Sequence, residues 1–123
     1  MRKFALVLLS GALALTTPAA QGHSALVTST PKSGAVIKTF PKSFSLTFNE
    51  EILKLPGKEP SRVQLIAPGA KRISLGKVVI AKEVLTVPMS KAAVKAGKYR
   101  LTYRVVSNDG HVINGEISFT YKP

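Results

Sequence analysis

No cysteine occurs in the 123 residues, which removes disulfides, thiolate metal sites, thiol nucleophiles and a lipid-modified N-terminal cysteine at once. Tryptophan is also absent. Methionine is confined to Met1 and Met89, so a thioether-rich site for a soft metal has almost nothing to draw on. Acid is scarce: six carboxylates stand against 18 Lys and Arg, with Asp109 the only aspartate, and there are only two histidines, His23 and His111. Any transition metal here must be held by nitrogen and oxygen. What remains, 45% hydrophobic and 20% charged, is ordinary globular material for one domain with one core.

Residues 1–22 are built like a secretory signal: Arg2 and Lys3, an apolar run from Phe4 to Leu15, then small and polar residues through Ala19, Ala20 and Gly22. The apolar run is shorter than the roughly 20 residues of a membrane-spanning helix. Ala20-Gln21-Gly22 offers small residues at the third and first positions before a cut, which would make His23 the mature N-terminus; a cut after Ala19 or Ala20 is the rival. Export is expected, leaving residues 23–123 as the working domain. Loss of Arg2 and Lys3 would take the formal charge from +12 to +10, a balance that attracts acidic material, while the spread of lysines along the chain also fits a plain solubilising surface. Secretion argues against nucleic acid as a partner.

From Ala25 onward the apolar period is two and turn signals are closely spaced, which predicts an all-β Greek-key sandwich or barrel. A first strand is expected over Ala25–Ser29, then Phe44, Leu46 and Phe48 on one face of a core strand, and Arg62–Ala67 closed by Pro68-Gly69. Weaker strands are expected around Ile73, Val78–Ile80 and Val84–Val87, and a helical turn over Ser90–Lys95. Gly97 and Tyr99 suggest the corner of immunoglobulin-like sandwiches, in which a tyrosine hydroxyl bonds upstream backbone. Tyr99, Leu101, Tyr103 and Val105 then oppose Arg100, Thr102 and Arg104, and Ile117, Phe119 and Tyr121 alternate in the closing strand. Between these two strands, Ser107-Asn108-Asp109-Gly110-His111 reads as a hairpin loop with an Asp-Gly turn.

Asp109 and His111, with glycine between them, can aim at one point, although a turn of this kind is also common without any function. An N-terminal His23 is a special donor, because its α-amine and ring Nδ1 can chelate one ion, and the amine deprotonates more readily than a lysine. Those two nitrogens, a second imidazole from His111 and an oxygen from Asp109 form a tetragonal N/O set that suits Cu(II), with tetrahedral Zn(II) as its competitor. Glu50 and Glu51 bring further carboxylates to the end of the Phe44–Phe48 strand.

The mature start H-S-A-L-V-T-S-T-P-K-S-G, the strand L-T-F-N-E, the segment A-G-K-Y, and Y-R-V-V-S-N-D-G-H followed by N-G-E-I-S-F-T occur in an order that resembles the CopC family of copper-binding proteins, sometimes grouped with YobA proteins. The resemblance spans essentially residues 23–123. It implies a cupredoxin-like β-sandwich that binds Cu(II) through His23, Asp109 and His111, with Glu50 as an auxiliary carboxylate near or on the metal. It implies a monomeric copper carrier or buffer in homeostasis or resistance, with any membrane copper transporter or other envelope copper protein as a separate chain. Relatives with a methionine-rich Cu(I) site differ from this chain, which has only Met89 in its mature part, so Cu(II) alone is expected.

Two other functions compete. A copper-dependent oxidative enzyme of the polysaccharide monooxygenase kind uses a similar N-terminal histidine, but this chain lacks tryptophan and shows no flat aromatic platform for a glycan. A metal-free sandwich used for adhesion or assembly would need neither histidine.

Overall fold

The computed structural model describes residues 25–123. These form nine strands: β1 (Leu26–Thr30), β2 (Ala35–Ile37), β3 (Ser43–Phe48), β4 (Arg62–Ala67), β5 (Lys71–Ile73), β6 (Val79–Ala81), β7 (Val84–Pro88), β8 (Gly97–Val106) and β9 (Val112–Tyr121). Two sheets face each other, one ordered β1-β3-β7-β6 and the other β2-β9-β8-β4-β5. The chain crosses between sheets repeatedly and stays within one only at the β4–β5, β6–β7 and β8–β9 hairpins, so the fold is a Greek-key sandwich with two separate sheets rather than a closed barrel. Every pairing is antiparallel except β2 against β9. β2 is a three-residue strand that a sequence pattern cannot flag, because alternation over so short a run carries no signal.

The predicted alternation is realised residue by residue. Phe44, Leu46, Leu65, Leu85, Tyr99, Leu101 and Val105 are fully buried between the sheets, joined by Phe48, Ile117 and Phe119. Burying an aliphatic or phenyl side chain of this size contributes about 1.5–3 kcal/mol, so these positions supply most of the drive for the two sheets to pack. An aromatic cluster closes one end, where Tyr99 stacks on Phe119 at 5.5 Å and Phe40 meets Tyr99 edge-on at 5.0 Å.

The tyrosine corner is present. The Tyr99 hydroxyl donates to the Lys95 carbonyl at 2.6 Å and accepts the Lys95 N–H at 3.1 Å. This geometry displaces the expected helical turn: residues 90–96 contain no helix, because the chain must run irregularly to bring Lys95 over the ring of a residue four positions on. The Pro68-Gly69 turn stands as predicted, with Gly69 at φ 82°.

Candidate metal centre

The β8–β9 hairpin registers Val106 against Val112, which leaves Ser107–His111 as its loop. The Gly110 N–H donates to the Ser107 carbonyl at 2.9 Å, and the Ser107 N–H donates to the His111 carbonyl at 2.8 Å. Gly110 takes φ 89°, a backbone region that glycine enters without steric cost, and this returns the chain to β9 immediately after the turn. The loop is thereby a tight frame rather than an open coil, and it brings Asp109 and His111 together.

Within that frame, Asp109 and His111 bind each other. The His111 ring Nδ1 lies 2.8 Å from Asp109 Oδ2, and the His111 backbone N–H donates to Oδ1 at 3.2 Å. The Ser107 hydroxyl donates to Oδ1 as well. Hydrogen bonds from Ser107, then from the His111 ring and backbone, hold the Asp109 carboxyl at about 2, below its ordinary 3.8. The pair stands at the surface, with side chains 47% and 53% exposed for Asp109 and His111. A carboxylate on one imidazole nitrogen favours the tautomer that leaves the lone pair on Nε2, the arrangement by which proteins commonly orient a histidine ligand. The same carboxylate can become a ligand itself by exchanging the ring for an ion.

Ser107 is marked by the sequence only as the first residue of the turn. It is 1% exposed; the sequence itself offered only its place, a serine two residues ahead of the only aspartate, and not its burial.

Two further segments run alongside the loop. Ile52 pairs with Ser107 in an isolated antiparallel bridge, the Leu53 N–H donates to Val106 and the Asn108 N–H donates to the Glu51 carbonyl at 2.9 Å. Ile52 is 4% exposed and pins this segment to the core. On its other flank, Asn49 is tied to Ala25 in both directions: the Ala25 N–H donates to Asn49 Oδ1 at 2.7 Å and the Asn49 N–H donates to the Ala25 carbonyl at 3.0 Å. Residue 25, residues 49–53 and residues 106–108 therefore lie side by side at one end of the sandwich. Glu50 is half-buried between the residue bonded to Ala25 and the residue bonded to Asn108; Glu51 is exposed, and the Asn108 side chain reaches its carboxylate at 3.4 Å. His23 falls outside the described residues. Among the described residues no group of three metal-ligating side chains converges, and Asp109 and His111 stand there as a pair.

Residues 26–122 match a family model, the CopC domain. The chain is 30% identical to copper resistance protein C of Xanthomonas campestris pv. juglandis, covering 98% of this chain and 97% of that one. It is 27% identical to protein YobA of Escherichia coli K12, covering 98% and 94% of the two chains. Among solved structures it resembles CopC from Methylosinus trichosporium OB3b with a TM-score of 0.67, at 27% identity over 82% of this chain and 95% of that one. PcoC, a methionine-rich copper resistance protein from Escherichia coli, superposes with a TM-score of 0.66 at 24% identity, covering 82% of this chain and the whole of the other.

Proposed function

The chain belongs to the CopC family, and from that premise we propose that it is a non-enzymatic carrier or buffer that takes up one Cu(II) ion in the periplasm through His23, Asp109 and His111. The observation that carries this reading is the Asp109–His111 pair, a carboxylate and an imidazole held 2.8 Å apart at the surface by a rigid loop. Ala25 is bonded to Asn49 beside that loop, and the two peptide units from residue 23 to residue 25 span at most about 7 Å. A mature N-terminus at His23 would therefore start in the same neighbourhood.

The donor set suits the ion. An α-amine, two imidazole nitrogens and a carboxylate oxygen match the tetragonal preference of Cu(II), which also heads the affinity order of the divalent first-row metals. Glu50, on the segment between Ala25 and the loop, serves as an auxiliary carboxylate at the rim. The chain's own work is to hold the His111 ring in one tautomer before the ion arrives and then to release to the ion a carboxylate that stays ionised well into acid. Release to an acceptor proceeds by exchange of these ligands one at a time, and the exposure of the pair leaves room for an incoming donor. With Met89 the only methionine in residues 25–123, the site is one for Cu(II) rather than Cu(I).

The test is Cu(II) titration with EPR on protein whose N-terminus is His23, beside a form carrying one extra N-terminal residue. One equivalent bound with a nitrogen-rich tetragonal signal, lost in the extended form and in His111→Ala, is the expected result. An affinity unchanged in both His23→Ala and His111→Ala removes the proposal.

A further inference from the structure

The described residues contain four arginines, and all four sit in strands: Arg62 in β4, Arg72 in β5, and Arg100 and Arg104 in β8. Ten of the twelve lysines in the same range lie outside the nine strands. Strand parity puts every one of these arginines on the same surface. Val63, Leu65 and Ala67 face the core, so Arg62 and Ile66 face away from it; Leu101 and Val105 face the core, so Lys98, Arg100 and Arg104 face away. Arg72 pairs in register with Ile66 and shares that outer side. The outer face of the five-stranded sheet thus carries Arg62, Arg72, Lys98, Arg100 and Arg104 against one acid, Glu116, which pairs with Arg100 at 3.2 Å.

Register makes neighbours of the two arginines that lie nearest the candidate metal loop. Arg62 is directly opposite Arg104, and Arg104 is directly opposite Asn114. Like charges in directly opposed positions are destabilising, and among the described residues no carboxylate pairs with either arginine. The row borders a groove of about 360 Å³ whose other walls include Gln64 and Thr102. A folding requirement explains none of this, since any polar residue would serve on an exposed face.

We infer that the outer face of the five-stranded sheet is a docking surface for an acidic protein segment, whose carboxylates are taken by Arg62, Arg100 and Arg104. The choice of arginine over lysine in this one place is the first reason: a guanidinium offers a planar fork that meets a carboxylate through two parallel hydrogen bonds, whereas attraction by net charge alone would use the lysines of the rim equally well. The second is the groove between the charges, where the Gln64 and Asn114 amides can both donate and accept, as contact with a polypeptide requires. The third is what the arginine rows lack. Between Arg62 and Arg104 and their neighbours stand Gln64, Thr102 and Asn114, and the apolar side chains of this face, Ile66 beside Arg100 and the exposed Val36 and Val112, stand singly rather than as a patch that could enter a lipid surface. A second copy of this chain would present the same positive face and be repelled.

This inference goes beyond copper binding and holds whether or not the loop carries a metal. Arg104 and Asn114 each lie three residues from an end of the Ser107–His111 loop, so a segment docked on this row would also lie beside that loop.

The test is fluorescence anisotropy of a labelled decaglutamate peptide at low salt, with vesicles of phosphatidylcholine and phosphatidylglycerol as the second probe. R62E/R104E is expected to weaken peptide binding about tenfold or more, and R62K/R104K, which keeps the charge and the fold but loses the fork, about threefold or more. K42E/K77E makes the same change in net charge at two exposed loop lysines and is expected to cost about twofold or less. Equal losses in K42E/K77E and R62E/R104E, or full retention in R62K/R104K, reduce the effect to net charge and overturn the proposal. Arginine-dependent binding to the vesicles without binding to the peptide assigns the face to a membrane and overturns it as well.

Discussion

Replacing Ser107 by alanine tests whether the loop is built to hold Asp109 ionised. The hydroxyl is the largest of the contacts that lower the Asp109 carboxyl from 3.8 to about 2, ahead of the His111 ring, the His111 backbone N–H and the charge of His111. The largest of four favourable causes accounts for at least a quarter of that drop, so Ser107→Ala should raise the value by about half a pH unit or more, with the remaining contacts still holding it below 3.8. The serine is 1% exposed, and alanine fills nearly the same volume, so the turn itself should survive. Asp109 is the only aspartate in the chain, and its carboxyl carbon can be followed by NMR after selective labelling without ambiguity. The sign of the linked stability effect follows from the depressed value. The contribution is complete above 3.8 and is lost as the pH falls from there through about 2, so the metal-free protein loses part of its stability in that window and the variant loses less. A variant carboxyl still titrating at about 2 would show that the serine is incidental and that the ring pair alone sets the charge.

Three further outcomes follow from the packing. Tyr99→Phe keeps the stacked ring but removes both bonds to Lys95, and at about 0.5–1.5 kcal/mol each it should cost about 1–3 kcal/mol in urea unfolding; a loss below half a kcal/mol would make the corner ornamental. Gly115→Ala would set a methyl 2.5 Å from Cζ of Tyr103, whose ring is held edge-on against Phe48, so a loss of about 1–3 kcal/mol is expected, smaller in a Tyr103→Ala background where the obstacle is gone. Burial raises the Tyr103 phenol above its ordinary 10.0, so absorbance at alkaline pH should show it ionising late; the stability linked to its neutral form is complete below 10.0 and lost as the pH rises beyond, a limb that Tyr103→Phe should lack.

Much of this protein was determined locally and could be read from the chain. A side chain's face in a strand depends only on its parity, so Phe44, Leu46 and Phe48, or Tyr99, Leu101 and Val105, declare their burial without reference to any partner. The Asp-Gly turn is equally local, because one residue with positive φ suffices to reverse the chain. Asp109 and His111 were therefore legible as a pair. Their mutual hydrogen bond and the part of Ser107 were not, since each depends on how a five-residue loop closes over buried backbone.

Other features exist only through long-range pairing. That Ala25, Asn49 and Asn108 lie side by side follows from Ile52 docking on the β8–β9 hairpin, a contact between segments more than fifty residues apart. The short β2 gains its identity from pairing with β9, and the irregular path through residues 90–96 follows from the demand of the Tyr99 hydroxyl for Lys95. The arginine face shows the division most clearly. Parity alone turned Arg62, Arg72, Arg100 and Arg104 away from the core, but they are scattered over three strands, and strand order and register, which no local pattern encodes, made them one surface.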